Sequence, residues 1–368
     1  MKISRTVVNC LKGIVRFLQR SSNNRFHLQK AKHNYKALPE KKRLTVEQKR
    51  EIQSFYKGLI GKRVPLMWHQ YFYSRTGIYA KEYLPTTLYR TDLVDKANIY
   101  AYREAYVDKN MLDRLLPNVK HPRALLKNMN GYYYIDGQAV SEEEAVSRFQ
   151  NIDKAIIKPT LSSHGVGVQK LIVKDGITNV DGKTVLQLFH EYKKDFAIQE
   201  FMQQHERLAA LNPSSVNTIR ILTYRSGMEV ILLYAVIRIG RMGMDIDNES
   251  SGGISTRINE DGTLGKYAYG DANDGKWERT ETGIVLEGYQ LPSIPKAIET
   301  VKQCHLQLPF FNLIGWDVSI DTEGDPVIIE WNARTELSQS AYGPAFGEYT
   351  ERIIKELWPR PNTHDMHW

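Results

Sequence analysis

The chain has 368 residues, 42% of them hydrophobic and 25% charged, with only two cysteines, Cys10 and Cys304. That length leaves room for two or three domains with sizeable cores. Two lone cysteines exclude a disulfide framework and a thiolate zinc site and suit a reducing, cytoplasmic setting.

No stretch approaches the roughly 20 apolar residues that cross a bilayer. The N-terminus lacks the apolar core and small-residue cleavage site of a secretory signal. The net charge of +8 is concentrated at one end. Residues 1–63 hold 17 Lys and Arg against three acids (Glu40, Glu47, Glu51), a net +14, and the remainder holds 33 basic against 39 acidic residues, a net −6. The high pI belongs to an N-terminal arm, so it does not argue for a nucleic-acid partner.

In that arm Ile3, Val7, Val8, Leu11, Ile14, Val15 and Leu18 recur at helical spacing among Lys2, Arg5, Lys12, Arg16 and Arg20. Two readings fit. A basic amphipathic helix can lie on an anionic membrane, which would put the protein at the inner face of the cytoplasmic membrane, or it can pack on the body with its charged face in water. Residues 21–43 are polar and basic and read as a linker, and a helix is expected from Thr45 to about Leu59. Residues 64–100 are rich in Tyr and Trp without a readable period.

From residue 105 the pattern becomes regular. Asp108–Leu116 reads as a short helix stopped by Pro117, and Leu125–Met129 as a strand. Gly131–Ile135 with Asp136-Gly137 is a hairpin signal, and Ser141-Glu-Glu-Glu144 caps a helix. Strands follow at Ala155–Lys158, Val168–Val173, Phe196–Phe201, Asn217–Tyr224, Glu229–Ile239 and Gly253–Ile258. Helices fall at Lys183–Tyr192 and Pro295–Leu306, a hairpin at Leu313–Ile320 with Pro326–Trp331, and a last helix from Gly347 to Leu357. The fold class is α+β with mostly antiparallel sheet. The expected division is an arm over 1–63, an aromatic-rich segment over 64–104, one lobe over 105–200 and a second over 201–368.

Three segments carry chemistry. In the first, an apolar strand ends on Lys158 and passes into a loop with Ser162, Ser163, Gly165 and Gly167. A lysine and small residues that expose backbone N–H groups suit phosphate oxygens, and a plain hairpin loop fits the same residues. In the second, Ala197–Met202 turns polar at Gln203-Gln-His-Glu206, as a strand leaving one lobe for another would.

The third segment is the hairpin. Period 2 turns Asp317 and Glu330 to one face, and Asn332 follows Glu330 by two. Two carboxylates and an amide oxygen are hard donors suited to Mg²⁺ or Mn²⁺. Both acids lie in apolar runs, where two bare carboxylates repel unless a cation intervenes.

In order and spacing these segments resemble the ATP-grasp fold, in which two α+β lobes clasp ATP. Asn217-Thr-Ile-Arg220 and Asp247-Asn-Glu-Ser-Ser-Gly-Gly253 are similar to the branch called sugar-transfer-associated ATP-grasp proteins. The resemblance implies that Lys109 and Lys158 contact phosphates, that Ser163, Gly165 and Gly167 cover them, and that the backbone of Glu200 and Met202 pairs with adenine. The polar run after the hinge offers Glu206 or His205 to the ribose hydroxyls, and the resemblance places Mg²⁺ on Asp317, Glu330 and Asn332, and Arg220 and Arg238 on the transferred phosphoryl group.

The acceptor would meet Asn248, Ser250, Ser251, Gly252 and Gly253, with Arg334, Thr335 and Glu336 across from them. The implied activity is a Mg-ATP-dependent ligase joining a carboxylate to an amine on a cell-surface polysaccharide or its precursor. A sugar kinase with His164 or Glu336 as base, and a nucleotide-binding partner without turnover, are the alternatives.

Overall fold

The computed structural model describes residues 5–162, 165–244, 247, 252–270 and 275–363, with side chains from residue 18 onward. A helical unit takes the chain up to Tyr100 and from Leu337 onward, and an α+β unit takes Ala101–Asp271 and Lys276–Glu336.

In the helical unit α1 (Arg5–Ala37) is one continuous helix, so the linker expected over 21–43 is helix through Ala37. The sequence there is polar because, of the helix's residues 18–37, Ala31 alone is buried. Ala31 and Leu38 are fully covered, packed with Trp68, Tyr71, Phe72 and Tyr83, and that narrow stripe is too sparse to read as amphipathic. The helix α2 (Val46–Ile60) opens as expected, with a capping box in which Thr45 Oγ1 accepts from Gln48 N and Gln48 Oε1 from Thr45 N.

The aromatic stretch resolves into α3 (Met67–Thr76), α4 (Thr86–Leu88), a π-helical turn over Tyr89–Leu93, and α5 (Val94–Ala97). The buried Asp92 in that turn pairs with Arg20 of α1.

The α+β unit opens with α6 (Tyr100–Tyr106) and α7 (Leu112–Leu115). Next come β1 (Ala124–Met129), β2 (Tyr132–Ile135), β3 (Gln138–Val140), α8 (Glu142–Arg148), β4 (Ile152–Pro159), β5 (Gln169–Lys174), β6 (Ile177–Thr178), α9 (Val185–Tyr192) and β7 (Phe196–Glu200). These strands form a sheet in the order β3-β2-β1-β7-β4-β5-β6. Ala145, Phe149, Leu188 and Phe189 from the two helices bury its Leu126, Ala155, Ile157 and Ile198.

After α10 (Glu206–Ala209) come β8 (Thr218–Ser226), β9 (Glu229–Ile239), β10 (Ile254–Arg257), β11 (Ala268–Tyr269), β12 (Lys276–Trp277), α11 (Ile294–Leu306), β13 (Leu313–Ile320) and β14 (Pro326–Asn332). They build the second sheet, β12-β11-β10-β9-β8-β13-β14, with Ala297, Val301 and Cys304 of α11 packed in the same core as Ile219, Ile221, Ile237 and Trp316. The chain returns to the helical unit through α12 (Thr350–Leu357). The α+β class and its antiparallel sheets are as expected; β6, β11 and β12, of two residues each, carry too little period to be read.

The Ala31→Asp variant places a carboxylate among those aromatic rings. It should cost about 2–4 kcal/mol and lower the urea midpoint of the helical unit, followed by circular dichroism at 222 nm.

Candidate active site

Sheet register assembles the charged residues. Arg220 of β8 lies opposite Asp317 of β13, and Asp317 lies opposite Glu330 of β14. Arg238 of β9 lies opposite Thr218, two residues from Arg220. Directly opposed residues of antiparallel strands project to one face, as do residues two apart. Four adjacent strands therefore carry Arg238, Arg220, Asp317 and Glu330 in one row. Asn332 faces the same way, opposite Gly315.

The row is knit by ion pairs. Arg220 donates from Nε to Asp317 Oδ1 at 2.6 Å and from Nη2 to Oδ2 at 2.8 Å, a bidentate pair with both side chains 6% exposed. Its Nη1 donates to Thr335 Oγ1 at 2.6 Å. Arg238 makes one longer contact, Nη1 to Asp317 Oδ1 at 3.4 Å. Asn332 donates from Nδ2 to Asp317 Oδ2 at 3.4 Å and to Glu330 Oε1 at 3.3 Å.

Lys109 Nζ stands 3.1 Å from Glu330 Oε2 and donates to Ser162 O at 2.9 Å, joining the loop after β4 to the second sheet. Burial alone would raise the Glu330 carboxyl, but Lys109 and then Lys158 outweigh it and hold the group well below the ordinary glutamate range. Burial pushes Lys158 itself down to about 8, against an opposing pull from Glu330.

The cations that relieve the two carboxylates are Arg220, Arg238, Lys109 and Lys158, so repulsion between the acids does not by itself call for a metal. Four cations around two carboxylates leave an excess of positive charge that suits a polyphosphate. The donor set still fits a hard cation, because both carboxylates and the Asn332 amide lie within mutual reach. A second acidic group, Asp321, Glu323 and Asp325 in the turn between β13 and β14, is answered by Lys120, with Lys296 on Asp325.

Lys158 ends β4 on the side opposite Ala155 and Ile157, which face the helices. Residues 160–168 beyond it join β4 to β5. Gly165 and Gly167 have φ of 70° and 75°, and a Cβ on Gly167 would come within 2.8 Å of Pro159 Cγ, so only glycine fits there. Ser162 Oγ donates to Val166 O at 3.1 Å, and Tyr192 Oη to Gly167 O at 2.6 Å. Ser163 and His164 lie outside the described residues.

At the hinge Glu200 donates its N–H to Arg123 O at 2.9 Å, and its carboxylate pairs with Arg123. That N–H is therefore committed, and Phe201–Gln203, Met202 among them, belong to no strand. Lys154 Nζ lies 3.5 Å above the Phe201 ring. The chain is then fastened to the second sheet by His205 N to Ile320 O at 2.8 Å and by Gln204 Oε1, which accepts from Asn217 N at 3.0 Å. Glu206 is exposed in the first turn of α10.

On the acceptor side Gly253 precedes Ile254, which pairs with Ile239, next to Arg238. Gly252 has φ of 89°. Arg334 is half-buried two residues past Asn332. Asn248, Ser250 and Ser251 lie outside the described residues. Thr335, expected at the acceptor, is buried against Arg220 instead. Asp247 was unassigned by the sequence reasoning. It is buried and accepts from Thr218 N at 2.9 Å and from Thr218 Oγ1. Its place at the head of the 247–253 motif was the available signal.

A family model described as sugar-transfer associated ATP-grasp matches residues 88–353. The chain belongs to this ATP-grasp family. No curated protein matches the sequence. Among solved structures the chain is similar to D-alanine–D-alanine ligase from Bacillus anthracis, at 14% identity and TM-score 0.39, covering 68% of this chain and 67% of that one.

It is also similar to the ATP-grasp ligase PsnB complexed with a minimal precursor, at 15% identity and TM-score 0.38 over 69% of this chain. A third is the L-amino acid ligase from Bacillus licheniformis, at 12% identity and TM-score 0.36 over 71% of this chain. The chain spans 60% of the length of PsnB and 49% of the L-amino acid ligase. Among the described residues no helix is long and apolar enough to cross a membrane.

Burial pushes Lys158 down to about 8, so a lysine that contacts phosphate there, as the resemblance implies, takes up a proton on binding above that pH. Affinity for metal-free ATP should fall as pH rises from 7.5 to 9.5, by at most about tenfold per unit. Lys158→Arg, which keeps its proton, should flatten the profile. Calorimetric titration of both proteins checks this, and parallel profiles would reject it.

Proposed function

We propose that the protein is a Mg-ATP-dependent ligase that activates a carboxylate as an acyl phosphate and passes it to an amine, on a cell-surface polysaccharide or its precursor. The observation that carries this reading is the row of Arg238, Arg220, Asp317 and Glu330 with Lys109 and Lys158 set against it. Its charge balance suits a triphosphate, and its chemistry is positioning and charge neutralisation.

Lys109 and Lys158 take the phosphates, and Gly165 and Gly167 let the loop backbone approach them. Phe201–Gln203 offer unpaired-strand backbone to the adenine edge. Asp317, Glu330 and Asn332 hold Mg²⁺, whose contribution is to offset phosphate charge. Arg238, which among the described residues makes one long contact, to Asp317, is the arginine assigned to the reacting phosphoryl group. The acceptor carboxylate forms a new O–P bond to the γ-phosphorus while the β–γ bridging P–O bond breaks and ADP leaves. The amine then attacks the acyl carbon, phosphate departs with the C–O bonding pair, and the amine proton passes to water.

One observation favours this over the kinase. Among the described residues, both carboxylates of the row are ion-paired, and the adjacent Asp247 is committed to Thr218. These three carboxylates are therefore committed and none of them is spare as a base for a sugar hydroxyl, whereas a carboxylate nucleophile is already ionised and needs no base; of the other two candidates, His164 lies outside the described residues and Glu336 is exposed beyond the row. Family membership supports a sugar-linked substrate, and the helix starting at Arg5 keeps the membrane-surface reading of the basic arm open to vesicle sedimentation.

Incubation with Mg-ATP and a panel of sugar-nucleotide uronic acids with amino acids, read by mass spectrometry, tests the reading. ADP and phosphate should appear only when carboxylate and amine are both present. Phosphorylated sugar formed without an amine identifies the kinase, and ATP bound without turnover identifies a non-catalytic partner. Arg238→Ala should lower turnover about 10²–10³-fold with little change in ATP affinity.

A further inference from the structure

Arg220 has the wrong surroundings for a group that meets substrate. Both of its contacts to Asp317 are short, its third nitrogen is taken by Thr335, and the residue is 5% exposed. Thr335 in turn is 3% exposed, and its hydroxyl is used twice: Oγ1 accepts from Arg220 Nη1 at 2.6 Å and donates to Glu336 O at 3.2 Å. The proton of the hydroxyl is thus directed to the carbonyl, and a lone pair is left aimed at the guanidinium.

Room for this arrangement comes from Gly315. A Cβ there would come within 2.6 Å of Thr335 Cβ and closer still to Oγ1. Gly315 is two residues before Asp317 on β13, opposite Asn332 of β14. The same strand that carries the carboxylate thus leaves the space in which the threonine reaches the arginine.

We propose that Thr335 is a positioning residue of the metal end of the site: its hydroxyl fixes the Arg220 guanidinium, and that fixed fork sets the orientation in which Asp317 presents its oxygens. The physical reason is the geometry of a planar fork. Two parallel N–H bonds to Asp317 define a line, and rotation of the plane about that line is stopped by the third bond to Thr335. Without it the buried Nη1 has lost its acceptor, and the fork tilts to find another, taking Asp317 with it. Arg220 on this account touches neither substrate nor phosphate. It separates the two arginines of the row: Arg220 orients, and Arg238 acts on the reacting group.

The inference rests on the Mg-ATP reading above, and the test separates the two. Mn²⁺ binding is followed by the electron paramagnetic resonance signal of free Mn²⁺, with and without ATP, on the full chain and on Thr335→Ser, Thr335→Val and Thr335→Ala. Metal-free ATP affinity is measured alongside by calorimetry. Loss of one hydrogen bond to a charged group predicts that Val and Ala weaken Mn²⁺ binding in the presence of ATP by about tenfold or more. Metal-free ATP affinity should change less than about twofold, and Ser should stay within about twofold of the native protein.

Rescue by Ser is what packing alone would not give, since Val is closer to Thr in volume. Equal Mn²⁺ affinity in Ser and Val, or an equal loss in metal-free ATP affinity, overturns the role of Thr335. If Val unfolds, the smaller Ala carries the comparison. A native chain that binds neither ATP nor Mn²⁺ with ATP instead sinks the functional reading itself.

Discussion

The bidentate pair between Arg220 and Asp317 joins the neighbouring strands β8 and β13 of the second sheet, with both side chains nearly dry. Burying such a pair is expensive, and replacing it by apolar residues is often neutral or stabilising. Its presence is therefore better understood as a constraint on geometry than as a source of stability. Around it the rest of the site is ordered. Arg238 leans on the same carboxylate from β9, Asn332 bridges that carboxylate to Glu330, and Lys109 carries the contact on to the loop after β4.

Because the row is defined by strand register, it is rigid in the sense that a sheet is rigid. Moving one member by one residue would turn its side chain to the helix-covered face. Asp317 stays opposed to Glu330 although the ladder shifts just beyond, where Val318 pairs with Ile328. The loop side is built differently. Its glycines hold positive φ, and its closure depends on single contacts such as Tyr192 to Gly167. A fixed acidic and basic row facing a small-residue loop is a division suited to a polyphosphate, whose charge needs fixed partners and whose oxygens need close backbone approach.

Much of this was legible in advance. Alternating apolar residues and the turn at Asp136-Gly137 located the hairpins, and the spacing of Asp317, Glu330 and Asn332 put them on one face. The polar run after Arg20 hides its helix because little of it is buried: Ala31 within the helix and Leu38 just past its end pack against rings contributed by α3. The charge argument about the two acids was incomplete for a related reason. Arg220 is 97 residues from Asp317 and 115 from Thr335, and nothing local in a sequence says which distant cation will arrive beside a carboxylate.

The sequence by itself determined the elements, the order of the phosphate loop, hinge and metal hairpin, and hence the ATP-grasp family, because period, turn chemistry and motif spacing are local properties of the chain. Only the tertiary structure decided how the charges are shared. Sheet order placed β8 between β9 and β13, and that adjacency committed Arg220 to Asp317 and Thr335 while leaving Arg238 loosely held. Two arginines equivalent in the sequence became different groups, since hydrogen-bond commitment depends on which strands become neighbours and at what register.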